Sequence, residues 1–241
     1  MFKYLPFIPA EGAQKNIGIN IGQKIFTPED LESRVVIQDD RPYAGWLYGA
    51  LSFVSKSENR LDTVEFQLGV IGPAALGEDA QNTIHDLRGF ATAEGWDNQL
   101  ENEPGLAIIY ERKWRPFRSD QISGFGYDLI THAGGALGNV YSYLNLGAEA
   151  RIGWNLPADF GTSLMRPGGN SSAPATYNDP RLRSTKNFGA HLFAGVTGVL
   201  KLPDVFLDGN SFTDSHDVNK EYLVGDLVVG ASVVFGQVKL S

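Results

Sequence analysis

The stretch "LDTVEFQLGVI", residues 61–71, decides the fold class because its side chains alternate in polarity with a period of two. One face is apolar and consists of Val64, Phe66, Leu68 and Val70. The opposite face is polar or small and consists of Thr63, Glu65, Gln67 and Gly69. Strict alternation over this length is typical of a β-strand whose two faces meet different surroundings.

The same alternation recurs along the chain. Residues 144–152 set an apolar face against a polar one that contains Glu149 and Arg151, and residues 187–196 repeat the pattern. Less regular strands are predicted over residues 16–26, 44–54, 105–114, 124–133 and 222–235. Several of these segments approach the roughly 9–11 residues with which a tilted strand crosses a bilayer.

The polar faces separate two kinds of β-structure. A soluble β-sandwich or lipocalin-like barrel also alternates, but its closed core requires apolar residues inside. Here one face carries Glu, Arg, Asn and Gln and the other is aliphatic or small, as in a wall that faces lipid. We therefore predict an all-β fold, an antiparallel up-and-down transmembrane β-barrel of about eight to ten strands, as a single domain over residues 1–241.

This barrel carries two further expectations. Val64, Phe66, Leu68 and Val70 are predicted to face lipid, whereas Glu65 and Gln67 are predicted to face the interior. Aromatic residues near the predicted strand ends are expected to form interfacial girdles, namely Trp46, Tyr48, Tyr110, Trp114, Tyr141, Tyr143 and Trp154. Three long connections, residues 72–104, 157–184 and 203–220, predict a barrel with one elaborate end.

Composition argues against nucleic acid as a partner, cysteine-based sites, membrane helices and an N-terminal signal peptide in this sequence. The net charge of −8 provides no electrostatic basis for binding nucleic acid. The absence of cysteine excludes disulfides and thiolate metal sites. No run reaches the roughly 18 apolar residues of a membrane helix. The N-terminus as it stands is not a secretory signal peptide, because it has one Lys and no long apolar core.

Gln81 and His85, in the stretch "QNTIHDLR" of residues 81–88, are the strongest catalytic candidates. Their spacing of four places both on one face of the helix predicted over residues 80–88. A His there can accept a proton from water, and a Gln can orient that water or donate to an oxyanion. The spacing also fits a solvated helix with no catalytic role. Weaker candidates are His132, His191 and His216, none of which has partners at metal-ligand spacing.

Asp40 and Arg41 precede the strand predicted to start at residue 44. The guanidinium of Arg41 offers a planar fork for a phosphate or a carboxylate. An ion pair at the start of a strand is the alternative interpretation. The chain contains no Gly-x-Ser-x-Gly elbow, phosphate loop or dinucleotide fingerprint.

Five ordered stretches carry a resemblance that spans nearly the whole chain: "FTPEDL", "DDRPYAGWLY", "LGVIGPAALGEDAQNTIH", "GWDNQLENEPGL" and "LDGNSFTDS". Together they resemble the outer-membrane lipid A deacylase family, the LpxR-like proteins. The resemblance implies a twelve-stranded barrel, integral to the bacterial outer membrane, that hydrolyses the 3′-linked acyloxyacyl ester of lipid A with calcium assistance. The expected partners are lipopolysaccharide and membrane lipid, and the expected state is a monomer.

The resemblance also implies roles for individual residues. His85 corresponds to the family's catalytic His and Gln81 to the Gln four positions before it. Asp40 and Arg41 correspond to a pair near the mouth of the site and are expected to bind substrate.

The chain departs from the family pattern at several points. Gln38 stands where the family has Lys, and Ala91 stands where it has Glu. The chain resembles the family from the third strand onward, so the metal ligands are expected upstream of Met1 and part of the last strand is expected to be missing. Two other functions stay open: a non-catalytic outer-membrane barrel or channel, and a soluble lipocalin-like binder.

Overall fold

The computed structural model describes residues 13–121, 123–162, 179, 182, 188–236 and 238–241. Within them the chain forms nine strands: β1 (Gln14–Phe26), β2 (Ala44–Lys56), β3 (Arg60–Ile71), β4 (Glu103–Arg118), β5 (Phe125–Gly138), β6 (Tyr141–Trp154), β7 (Phe188–Asp204), β8 (Leu223–Phe235) and β9 (Val238–Leu240). Two helices are present, α1 (Gly77–Arg88) and α2 (Val205–Asp208), with short 3₁₀ turns at Pro73–Ala75 and Trp96–Asn98. Helix α1 begins three residues before the predicted start at Ala80.

Every described strand pairs antiparallel with its neighbours in the chain, so the sheet order is β1 to β9 without a crossover. The sheet curls into a half-barrel. The predicted all-β barrel architecture is therefore confirmed. None of the helices in the described residues is long and apolar enough to cross a membrane.

The predicted alternation of β3 is confirmed for most of its side chains. Phe66 and Leu68 are 37% and 66% exposed on the outer face, whereas Glu65 is 3% exposed inside the curl. The amide of Gln67 donates to the Glu65 carboxylate at 2.6 Å, so the inner carboxylate lies in a polar environment. Val64 also lies on the outer face, as predicted, but it is only 8% exposed. It is buried because its cross-strand neighbours Phe53 and Tyr110 cover it on the outer face.

The interior is filled near both ends of the strands. At one end, residues of the wall pack with α2 in a cluster that contains Trp46, Ile71, Tyr141, Val205 and Phe206. At the other end, the chain after β6 turns inward, and Phe160 packs against Val54, Leu61 and Ile130.

An ion network surrounds the second cluster. Arg151 contacts the carboxylates of both Asp128 and Asp159 at 2.5 Å, and all three side chains are buried. Arg115 and Lys239 approach the same two carboxylates at 3.3 and 3.2 Å. Buried charges of this kind require close partners, and the interior provides them.

The predicted girdles are correct for only part of the aromatic set. Trp46, Tyr48, Tyr141 and Tyr143 face inward and belong to or pack against the first interior cluster. Position near a strand end predicts an interface because strand ends in a barrel often meet headgroups, but here an apolar core fills that end. Outward aromatic residues instead gather at the opposite strand ends, and we call them the aromatic girdle: Trp114, Phe117, Phe125, Tyr127, Trp154, Phe188 and Phe235.

The connections divide between two ends. The end with residues 27–43, 72–102 and 205–222 is called the cap end; it carries α1 and α2. The opposite end carries the connections that follow β2, β4, β6 and β8. The prediction that all long connections share one end is therefore wrong, because the connection after β6 lies opposite the cap end. Its first described residues, including Phe160, fill the interior.

Candidate functional site

Helix α1 is attached to the outer side of the wall at the cap end. The side-chain amide of Gln23, which points outward from β1, donates to the carbonyls of Ala75 and Leu76 at 2.7 and 3.0 Å. Gly45 of β2 lies so close that a Cβ added there would come within 2.9 Å of the Ala75 Cβ. The absence of a side chain at Gly45 thus lets the start of α1 rest directly on the wall.

Local sequence explains where α1 starts and stops. Glu78 and Asp79 lie in its first turn, where acidic side chains interact favourably with the helix dipole. The helix ends at Gly89, whose positive φ of 68° suits glycine. The chain then turns back toward the helix, and the Phe90 amide donates to the His85 carbonyl at 2.9 Å. This turn brings Ala91 beside the His85 ring.

The ring of His85 is held in one tautomer. Its Nδ1 lies 2.5 Å from the backbone oxygen of Ala91. A carbonyl oxygen can only accept, so Nδ1 must donate, and Nε2 of the neutral ring is left as a proton acceptor. The phenyl ring of Phe90 packs edge-on at 5.8 Å between centroids. Ala91 therefore orients the histidine through its backbone carbonyl.

Gln81 is oriented by a tryptophan. Its Oε1 accepts a hydrogen bond from the indole Nε1 of Trp96 at 2.9 Å. An indole N–H only donates, so this bond fixes which end of the amide is oxygen and leaves the NH₂ group as donor. Trp96 is 1% exposed and packs against Tyr43 at 4.9 Å between ring centroids. Sequence reasoning missed this role, although Trp96 lies in the stretch "GWDNQLENEPGL" that carried the resemblance.

Tyr43 links this helix to the segment of Asp40 and Arg41. It is buried with Trp96 and Ala93, and its hydroxyl donates to the Leu31 carbonyl at 3.3 Å. Burial raises the pKa of the Tyr43 phenol above its ordinary value, so the hydroxyl stays a donor.

Asp40 organises the connection before β2. Its carboxylate accepts from the backbone amides of Glu29 and Arg41, each at 2.7 Å. Its carbonyl oxygen lies 2.8 Å from Nε2 of His216, a residue of the connection after β7. His216 was only a weak candidate from sequence, since nothing local marks a contact 176 residues away.

Arg41 lies at the rim of the barrel. Its guanidinium is 5.8 Å from the ring centroid of Phe26, an inward residue that stacks on Phe206 at 4.0 Å. Within the described residues, no hydrogen bond or ion pair joins Arg41 or Asp40 directly to Gln81 or His85. Gln81 bonds to Trp96, and Trp96 packs against Tyr43, which lies two residues after Arg41 in the chain.

The residues near His85 do not form a calcium cage. Calcium takes about six to eight oxygen ligands, several of them carboxylates. In the described part of the chain, no group of three or more His, Asp or Glu side chains could hold a metal ion. Both carboxylate oxygens of Asp40 already accept backbone N–H groups. The described residues therefore do not fit the ion.

Comparisons with known proteins agree with the fold. A family model described as "Outer membrane protein LpxR" matches residues 1–241. A search of curated proteins found no match. Among solved structures, the chain is similar to LpxR from Salmonella typhimurium, at 23% sequence identity and a TM-score of 0.74. This match covers 92% of this chain and 73% of that chain, and it shows a shared fold.

Proposed function

Because the chain belongs to the LpxR family of bacterial outer-membrane proteins, we propose that it is an ester hydrolase that removes the 3′-linked acyloxyacyl chain of lipid A. The observation that carries the proposal is the hydrogen bond between His85 Nδ1 and the Ala91 carbonyl. In the neutral ring, this bond leaves Nε2 as the proton acceptor that a general base requires. The position of α1 on the outer side of the wall supports a lipid substrate, which would reach the helix from the membrane.

The proposed reaction uses two side chains on one helix face. Nε2 of His85 takes a proton from water while the water oxygen attacks the ester carbonyl carbon. The NH₂ group of Gln81 donates to the oxyanion that forms, as its bond to Trp96 orients it. When the tetrahedral intermediate collapses, the ester bond breaks and His85 returns the proton to the leaving alkoxide. The products are a free carboxylic acid and an alcohol on lipid A.

Arg41 and Asp40 are proposed to bind the substrate. The Arg41 guanidinium can engage a phosphate with two parallel hydrogen bonds. Asp40 holds the backbone before Arg41 through its bonds to Glu29 and Arg41. Action as a monomer stays a prediction of the family resemblance.

The test of His85 compares two substitutions in the full-length protein. His85→Asn can retain the donor to Ala91 but has no ring nitrogen to act as base, whereas His85→Ala loses both. Mass spectrometry of lipid A from expressing cells should show deacylation lowered by about 10²–10⁴-fold in both variants. Thr83→Ala is the matched control, since Thr83 is exposed on the same helix. Activity in His85→Asn close to that of the parent would refute the general-base role.

Calcium dependence stays a prediction of the family resemblance. Deacylation by the purified protein, measured with EGTA and after calcium is added back, tests it independently of the histidine variants. Recovery by calcium would support the cofactor, and activity unaffected by EGTA would reject it.

The two alternative functions fare differently. Location in the outer membrane overturns the soluble lipocalin-like binder. A channel is disfavoured because the described interior is filled near both ends, by Phe206 with its neighbours and by Phe160 with its neighbours. A non-catalytic outer-membrane barrel stays open as an alternative, and the His85 variants test it.

A further inference from the structure

A buried carboxylate lies on the outer, lipid-facing side of the wall. Asp62 shares the outward face of β3 with Phe66 and Leu68, yet its side chain is fully buried. Its Oδ2 accepts from Nε of Arg60 at 2.7 Å, and its Oδ1 accepts from Nε of Arg112 at 2.5 Å. The Tyr110 hydroxyl also donates to Oδ1, at 2.8 Å. We call Arg60, Asp62 and Arg112 the outer ion cluster.

The cluster has an excess of positive charge. Two guanidinium groups surround one carboxylate, so the three side chains carry one net positive charge. The Arg60 and Arg112 side chains are 33% and 23% exposed, whereas the carboxylate is covered. An anion approaching from the membrane would therefore meet guanidinium groups and not the carboxylate.

The neighbours of the outer ion cluster indicate its depth in the membrane. Arg60 begins β3 and pairs with Trp114, a member of the aromatic girdle at the end opposite α1. The Arg112 guanidinium lies 5.8 Å from the Tyr110 ring and 5.9 Å from the Trp114 ring. Arginine on a lipid-facing wall costs about 2–4 kcal/mol at the bilayer midplane but about 0–1 kcal/mol near the interface, where Trp and Tyr concentrate. The cluster accordingly belongs at the level of the lipid headgroups.

A groove of about 560 Å³ on the outer wall begins at the same place. Arg112, Tyr110 and Trp114 line one part, and Ile108, Leu137 and Leu144 line the rest. Its floor is low because β5 presents only Ala133 and Gly135 between larger side chains of the adjacent strands. An apolar groove that leads away from a cationic cluster matches a molecule with an anionic head and a hydrocarbon tail.

We propose that the outer ion cluster and this groove form a binding site for an anionic glycerophospholipid, with the phosphate on Arg60 and Arg112 and one acyl chain along Ala133 and Gly135. Guanidinium groups recognise phosphate through charge-assisted hydrogen bonds. The choice of phospholipid over lipopolysaccharide rests on the proposed function, which places lipid A at the cap end and the cluster in the opposite leaflet.

Fluorescence quenching of Trp114 measures occupancy of the groove directly. The full chain carrying Trp154→Phe keeps one outward tryptophan, because Trp46 and Trp96 are 0% and 1% exposed. It is reconstituted in phosphatidylcholine vesicles that contain phosphatidylglycerol with brominated acyl chains, and separately with brominated phosphatidylcholine. We expect phosphatidylglycerol to be enriched at Trp114 by about fivefold over phosphatidylcholine. Equal quenching by the two lipids would overturn the proposal.

Four further variants show which residues cause the preference. Arg112→Gln, and independently Arg60→Gln if the first does not assemble, should bring the preference close to one. Arg34→Gln removes the same charge from a loop at the cap end, and its preference should match that of the parent. Ala133→Leu fills the floor and should lower quenching by both lipids. The proposal fails if Arg112→Gln keeps the parent's preference, or if unlabelled lipopolysaccharide displaces the quenching lipid more strongly than unlabelled phosphatidylglycerol does. None of these measurements depends on deacylation.

Discussion

At the scale of single residues, Trp96 controls the donor that the proposed reaction needs. Trp96→Phe keeps the ring against Tyr43 but removes the N–H that fixes the Gln81 amide. Without that bond the Gln81 amide can rotate, so its NH₂ group points at the oxyanion in only a fraction of the molecules. We therefore expect kcat for deacylation to fall by roughly tenfold with little change in KM. In a Gln81→Ala background the same substitution should cause no further loss, and an additive loss in this double-mutant cycle would contradict the role.

Arg151 gives a residue-scale prediction about stability. Arg151→Leu removes the 2.5 Å contacts to the buried carboxylates of Asp128 and Asp159, and the contacts from Arg115 and Lys239 that remain are longer. The free energy of unfolding should fall by about 3–5 kcal/mol, because an uncompensated buried charge is costly. Urea unfolding in lipid vesicles measures it. Arg34→Leu is the control, because its ion pair with Glu94 is exposed. It should change the free energy of unfolding by less than about 1 kcal/mol.

At the scale of elements, β3 tests the lipid-facing side of the wall. Phe66→Arg places a cation on the outer face of the middle of the strand. Assembly should be impaired by about 2–4 kcal/mol if the residue lies near the bilayer midplane. The fraction folded into vesicles, followed by gel mobility with and without heating, reports the effect. Phe66→Leu should fold like the parent, and normal assembly of Phe66→Arg would count against a membrane-facing wall.

Strand alternation could be predicted from sequence, whereas contacts between distant segments could not. Alternation around Glu65 and Arg151 predicted which side chains turn inward, because the period of a strand is local. The direction of Trp46 was missed, since only tertiary packing with Phe206 reveals that an apolar core closes the cap end. Spacing predicted that Gln81 and His85 share a helix face. The partners that orient them, Trp96 and the Ala91 carbonyl, depend on how the chain folds back after α1.

At the scale of the whole molecule, the filled interior predicts that no open pore runs through the barrel. The cluster around Phe206 and the cluster around Phe160 obstruct the described interior near opposite ends. The full chain reconstituted in planar bilayers should therefore show no stepwise conductance above the protein-free background. Reproducible ohmic steps would show that the interior opens.

The contact between His216 and Asp40 has a consequence for the order of folding. All pairings among the described strands join neighbours in the chain, so this part of the wall can form hairpin by hairpin without waiting for distant segments. By contrast, Asp40 and His216 are 176 residues apart, and the bonds between Glu101 and Asn210 span 109. Those loops can meet only once β7 has brought its far end alongside the wall. The surroundings of Arg41 are therefore completed only after β7 has paired, so this proposed substrate-binding residue acquires its final contacts late in folding.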